Sequence, residues 1–206
     1  MTIAIIGSGN VAGALAAGLK KAGHRVLIGA RFPLSEKSIR LAAVLGEDAF
    51  CTVEAAAAGA EALIITTPAE KVPDLIPQLK DAAGKIIIDA TNAIRMKPEP
   101  YPTAFHAIKA LVGAEHVVKC FNTTGFENMA HPDYRGTGLD MFMAGDSQKA
   151  KELARKLALD MGFAACWDFG GDDKVELLEK LALCWINLAI MQGHGRNMAF
   201  KILKRD

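Results

Sequence analysis

The sequence predicts an α/β fold, a doubly wound and mostly parallel sheet with a helical segment at its C-terminal end. A glycine turn, Gly7-Ser8-Gly9-Asn10-Val11-Ala12-Gly13, stands between the apolar run Ile3 to Ile6 and an alanine-rich stretch from Leu15 to Lys21. Apolar runs then alternate with helical segments as far as Trp167, the pattern of a parallel sheet covered on both faces. From Asp172 onward the pattern is helical, with apolar residues at Leu177, Leu178, Leu181, Leu183 and Cys184. This divides the chain into a nucleotide-binding Rossmann unit, 1–170, and a helical segment, 171–206.

After the first helix, His24 to Ile28 reads as a strand ending at Gly29-Ala30-Arg31, and Ser35 is placed to cap a helix reaching about Leu45. Ala49 to Cys51 is a short strand and Val53 to Ala58 a short helix. Ala62 to Thr66 is a fully apolar strand, after which Thr67 reads as an N-cap and Pro68 as the first helical residue. Further strands are expected at Lys85 to Asp89, His116 to Phe121, Met141 to Gly145 and Phe163 to Trp167. Helices are expected from Thr103 to Val112 and, capped by Asp146-Ser147, to about Met161. The last segment carries Trp185, Ile186, Leu188, Ile190 and Met191 and then breaks at Gly193-His194-Gly195, so it should be buried in a dimer contact or over a site.

Composition excludes several function classes. The 206 residues are 51% hydrophobic and 6% aromatic, which supports an aliphatic core and argues against disorder. A net charge of +1 without a basic tract gives no signal for nucleic acid. The longest apolar run, Leu181 to Met191, is too short for a bilayer and is interrupted by Asn187. Met1 and Thr2 lead straight into a strand, which leaves no room for a signal peptide. Cys51, Cys120, Cys166 and Cys184 lack paired spacing and read as buried thiols of a reducing cytoplasm, and the histidines show no metal-ligand spacing.

Strand, glycine turn and helix in this order suit a dinucleotide pyrophosphate. Gly7 permits a tight turn, and Gly9 lets the backbone approach the phosphates. The alternative is an ordinary glycine-rich turn of a flavodoxin-like fold. An NAD site carries an acid about 20 residues beyond the glycines for the ribose 2′-OH. Here that place holds Arg31, with Ser35 and Lys37 behind it, a set suited to the 2′-phosphate of NADP. The alternative is a solvated arginine at a strand end. Thr66, Thr67, Pro68, Ala90, Thr91, Asn92, Asn122 and Thr123 fall at strand tips, where Thr67, Thr91, Asn92, Asn122 and Thr123 offer small polar groups but little acid–base equipment. No nucleophile elbow and no Tyr-x-x-x-Lys pair occurs, so no catalytic side chain is assigned. Hydride transfer between two stacked redox rings requires chiefly their placement.

The strings Gly7 to Val11, Ile28 to Arg31, Val117 to Thr123 and Ile186 to Gly193 resemble the F420-dependent NADP oxidoreductases, also called NADPH:F420 reductases. The nucleotide motifs also resemble those of the oxidoreductase domain of the STEAP metalloreductases. The resemblance implies a homodimer that passes a hydride between NADP(H) and a deazaflavin or flavin. It also implies that the C-terminal helix helps to form the acceptor site. Carried onto this sequence, it gives Ser8, Gly9, Asn10 and Val11 to the pyrophosphate, and Ala30 and Arg31 to the 2′-phosphate. Thr67 and Pro68 would line the path to the nicotinamide, with Asn92, Asn122 and Thr123 at its ring. Ala12 stands where the family commonly has a third glycine, and His194 matches no deazaflavin contact. Pyrroline carboxylate reductases begin with a similar Gly-x-Gly-Asn, so reduction of a small imine or keto acid is a second reading. A non-enzymatic NADPH sensor is a third.

Overall fold

The computed structural model describes residues 1–32, 35–46 and 49–205, without the side chains of Lys37 and Arg40. Its strands are β1 (Thr2–Ile6), β2 (Arg25–Gly29), β3 (Phe50–Cys51), β4 (Ala62–Ile65), β5 (Ile86–Asp89) and β6 (Val117–Cys120), with β7 (Asp133–Tyr134), β8 (Thr137–Gly138), β9 (Asp140–Ala144) and β10 (Ala165–Asp168) following. The helices are α1 (Asn10–Lys21), α2 (Glu36–Leu45), α3 (Val53–Gly59), α4 (Val72–Leu75), α5 (Ala104–Val112), α6 (Phe126–Ala130), α7 (Gln148–Asp160) and α8 (Val175–Ile186). The main sheet runs β10-β9-β6-β5-β4-β1-β2-β3, and β7 and β8 form a separate hairpin. All its pairings are parallel except β6 with β9, where Lys119 faces Ala144. The predicted doubly wound, mostly parallel Rossmann sheet is therefore the fold.

The period of two along each strand sorts the core into two layers. Ile3 and Ile5 of β1, Ile28 of β2 and Ile64 of β4 face Leu15 and Leu19 of α1 and Leu157 of α7. Ala4, Ile6, Leu63 and Ile65 face the opposite layer, with Val53 of α3, Phe105 of α5 and Leu178 of α8. Covered on both faces, these central strands need no polar alternation, which is why they read as continuous apolar runs. Each fully buried Ile or Leu contributes about 1.5–3 kcal/mol.

The expected boundaries hold to within a few residues for most elements, and Ser35 and Ser147 accept hydrogen bonds from Ser38 N and Ala150 N as caps. Three expectations need correction. Thr67 does not cap a helix: Pro68 is still extended at ψ 137°, and the first helical turn begins at Ala69. The helical segment does not run to the end. After α8 a wide turn covers Asn187–Met191, and Gly193 (φ +74°) and Gly195 (φ +88°) reverse the chain, so the tail returns along the surface. There Ile202 N donates to Asp140 Oδ2 at 2.8 Å and Lys201 Nζ to Gly138 O at 2.8 Å. Cys184 is exposed rather than buried, while Cys120 and Cys166 are buried. In the terminal apolar stretch Trp185 is buried, whereas Leu183, Ile190 and Met191 are 38%, 51% and 64% exposed in the single chain, the faces that the expected dimer contact would cover. Among the described residues no helix is long and apolar enough to cross a membrane.

Candidate functional site

A cavity of about 760 Å³ opens at the carboxyl ends of β1, β2, β4 and β5. The chain winds outward from β1 in both directions, through β2 on one side and β4 on the other. Ligands of doubly wound sheets bind in the crevice at such a switch point. Gly7, Ser8, Gly9, Asn10, Val11, Ala30, Arg31, Ser35, Thr66, Thr67, Pro68, Ala90 and Asn92 all line this one cavity. Lys37 lies outside the described side chains.

Gly7 leaves β1 at φ +133°, and its N–H donates to Gly29 O at 2.9 Å. A Cβ here would stand 2.5 Å from Thr66 Oγ1, whose hydroxyl already donates to Ile6 O at 3.0 Å. Turn and strand tip thus fit only around a glycine. Gly9 is the N-cap of α1, with no side-chain cap and no acid in the first turn. The first N–H groups of a helix lack intrahelical partners and carry the positive end of its dipole. Here they meet a cavity rather than a protein acceptor, the arrangement that binds phosphate. A Cβ at Gly9 would meet nothing within 4 Å, so the space over the turn is open to a ligand.

At the β2 end, Arg31 is half exposed, with Nη2 3.8 Å from Asp74 Oδ2. An exposed pair of this length contributes about 0–1 kcal/mol, so it holds the guanidinium only loosely. Ser35 Oγ caps α2 and also lies 3.0 Å from Ser38 Oγ.

At the other end, Asn92 and Asn122 bond reciprocally: Asn92 Nδ2 donates to Asn122 O at 2.8 Å, and Asn122 Nδ2 to Asn92 Oδ1 at 3.0 Å. Asn122 and Thr123 do not line the cavity. Asn122 supports Asn92 from behind, and buried Thr123 donates to Met141 Sδ at 3.7 Å. Thr67 Oγ1, Thr91 Oγ1 and Asn122 Oδ1 are buried without a protein partner among the described residues. An unpartnered buried polar atom costs about 1–3 kcal/mol. These gather at the tips of β4, β5 and β6, and Thr67 and Thr91 among them line the cavity.

Sequence reasoning missed the buried ionic cluster below these tips. Lys119 Nζ donates to Asp89 Oδ2 at 2.8 Å and to Glu179 Oε1 at 2.5 Å, with Lys119 and Asp89 fully buried. The remaining oxygens accept from Thr91 N at 2.9 Å and Ala93 N at 3.0 Å, so the cluster grips the backbone on both sides of Asn92 and joins it to α8. A lysine inside the apolar run Val117 to Cys120 was the visible signal, because a buried ammonium requires ionic partners. Phe126 and Arg196, which also line the cavity, were missed too. The Arg196 fork bonds Glu127 through Nε–Oε1 at 2.6 Å and Nη2–Oε2 at 3.0 Å, and this bonding holds the Glu127 carboxyl below its usual range. His194, in contrast, is exposed, so the Gly-His-Gly break serves to turn the chain.

Residues 2–93 match the sequence model of the family described as NADP oxidoreductase, coenzyme F420-dependent. The nucleotide half thus resembles that of an NADP-dependent oxidoreductase. The matched stretch runs from β1 past the tip of β5 and so holds most of the cavity lining. A crystal structure from Arthrobacter sp. FB24, provisionally named an F420-dependent NADP reductase, is 24% identical with a TM-score of 0.85, covering 98% of this chain and 99% of that one. A hypothetical protein of Sinorhizobium meliloti is 26% identical with a TM-score of 0.71, covering 100% and 96%. A pyrroline-5-carboxylate reductase of Coxiella burnetii, 16% identical with a TM-score of 0.64 over 92% of this chain and 67% of its own, shares the fold. A search of the curated proteins finds no match to this chain.

Proposed function

We propose that this chain binds NADP(H) across the cavity and transfers a hydride between its nicotinamide and a deazaflavin or flavin-type acceptor, F420 being the first candidate. The observation that carries this reading is the lining itself. Among the described residues it contains glycines, small hydroxyl and amide side chains, apolar groups and the guanidinium groups of Arg31 and Arg196, but no Asp, Glu, His, Lys, Cys or Tyr. Reduction of an alcohol-forming carbonyl moves a proton with the hydride and calls for a positioned acid. Transfer between stacked rings calls for placement and exclusion of water. The bound nicotinamide would supply the hydride. The chain would hold the pyrophosphate at Ser8 to Val11, the 2′-phosphate at Ala30, Arg31, Ser35 and Lys37, and the ring beside Thr66, Thr67, Pro68, Ala90 and Asn92, with Asn122 and Thr123 behind.

In this reading residues 1–170 form the NADP-binding unit, and 171–206 shape the acceptor side. The exposed stripe Leu183, Ile190 and Met191 fits a contact between two copies, giving a cytoplasmic homodimer without nucleic acid or membrane partners. The test is to mix the protein with NADPH and, separately, F420, FMN, FAD and a ferric chelate, following the near-ultraviolet absorbance of NADPH. Oxidation with a ring acceptor supports the proposal. Binding of NADPH with turnover only on a cyclic imine or keto acid would replace it. Light scattering of the same sample reports the dimer.

A further inference from the structure

We propose that Arg196, delivered by the C-terminal tail, is an anion-recognising residue of the same cavity. It would take a phosphate either from the nicotinamide half of the dinucleotide or from the second substrate. This rests on the nucleotide reading above and adds a residue that the matched stretch, 2–93, does not contain.

The guanidinium is oriented before any ligand arrives. Glu127 takes its Nε and Nη2 edge, while its Cζ lies 5.2 Å from the centre of the Phe126 ring and 5.4 Å from that of Trp185. That leaves Nη1, which has no protein acceptor among the described residues, as the edge free to bond an anion. Glu127 balances the charge, so the pair can stand part-buried without a ligand.

The backbone that carries Arg196 is fixed as firmly as the side chain. Asn128 Nδ2 donates to Arg196 O at 3.3 Å and to Met198 O at 2.7 Å, while Tyr134 OH holds the Asn128 oxygen at 2.6 Å. Trp185 Nε1 donates to Met198 O at 2.6 Å. A Cβ at Gly125 would stand 2.7 Å from the Trp185 ring, so the small residue lets the ring close on the loop.

Placement gives the ligand class. Phe126 opens the helix that follows β6, whereas Arg31 lies just past the end of β2, and these strands lie on opposite sides of β1 in the sheet. The lining thus has a guanidinium from each side, an uncapped helix start between them and no carboxylate among the described residues. Such a cavity suits a ligand set with phosphate at more than one place. Arg31 would meet the 2′-phosphate and Arg196 a second one.

The test compares wild type with R196L and R196K, each first checked for an unchanged melting transition. Titrations use NADPH, adenosine 2′-monophosphate and, on NADP⁺-saturated protein, FMN and riboflavin, which differ by a phosphate. If the dinucleotide supplies the anion, R196L weakens NADPH by about tenfold or more and leaves adenosine 2′-monophosphate unchanged, with R196K between. If the second substrate supplies it, NADPH is unchanged and the preference for FMN over riboflavin falls by about tenfold. The proposal is overturned if R196L keeps both NADPH affinity and the FMN-to-riboflavin ratio within about twofold of wild type, a wild type without that preference included. A wild type that binds neither NADPH nor adenosine 2′-monophosphate breaks the nucleotide reading instead, and the FMN and riboflavin titrations, repeated on the protein without nucleotide, then decide the role of Arg196.

Discussion

The two halves of the cavity wall are built from different materials. From β1 to the tip of β5 the wall is backbone, glycine, small polar side chains and apolar ones such as Phe32 and Leu75, with Arg31 as its only charged member among the described residues. Beyond β5 the support comes from charged and aromatic groups far apart in sequence: Lys119 with Asp89 and Glu179, and Arg196 with Glu127, Phe126 and Trp185. Backbone that must approach a ligand closely tolerates almost no side chain, so its sequence is constrained and short-range. A wall held by ion pairs needs only that matching groups meet, and the spacing between them is free.

That contrast can be broken at its strongest point first. Lys119→Met leaves Asp89 and Glu179 buried without their cation, and the expected loss is about 3–5 kcal/mol in urea unfolding. A loss below about 1 kcal/mol would mean that the cluster does not join the halves. Gly7→Ala forces a side chain into the left-handed region and against Thr66 Oγ1, for an expected cost of about 1–3 kcal/mol together with a loss of NADPH binding larger than that of Ser8→Ala. Equal losses would show that the turn is not specific to glycine.

Arg31→Glu acts on the ligand rather than on the fold. The expected outcome is a shift of preference from NADPH towards NADH by about ten- to a hundredfold with an unchanged melting point. An unchanged preference removes Arg31 from the 2′-phosphate.

The smallest effect concerns pH. The Arg196 fork keeps the Glu127 carboxyl more acidic in the folded chain than in the unfolded one. Its contribution to stability is therefore complete above the ordinary carboxylate range and lost as pH falls through the lowered value. For this part-exposed pair the effect is about 1 kcal/mol or less. Melting curves of wild type and Glu127→Gln should converge on acidification, and a constant gap would mean that ionised Glu127 adds nothing to stability through Arg196.

The same contrast explains what could be read from the sequence. The glycine turn, the strand tips and Arg31 lie within local strand–turn–helix patterns, so position in the sequence implied position in space. Asn122 was legible as a strand tip, but its place behind Asn92 depends on the pairing of β6 beside β5. Glu179 and Arg196 carried no local signal, because each meets its partner across 60 residues or more. Thr67 was misread as a cap since a threonine before proline fits that role locally, whereas the extended Pro68 leaves its hydroxyl without a protein partner among the described residues.

The most direct test of the cavity's role is a calorimetric titration of the wild-type protein with NADPH and, separately, NADH. Saturable binding of one dinucleotide per chain, with NADPH tighter by about tenfold or more, is the expected result. No saturable binding, or NADH bound as tightly as NADPH, would contradict the assignment of the glycine turn and Arg31 to an NADP site.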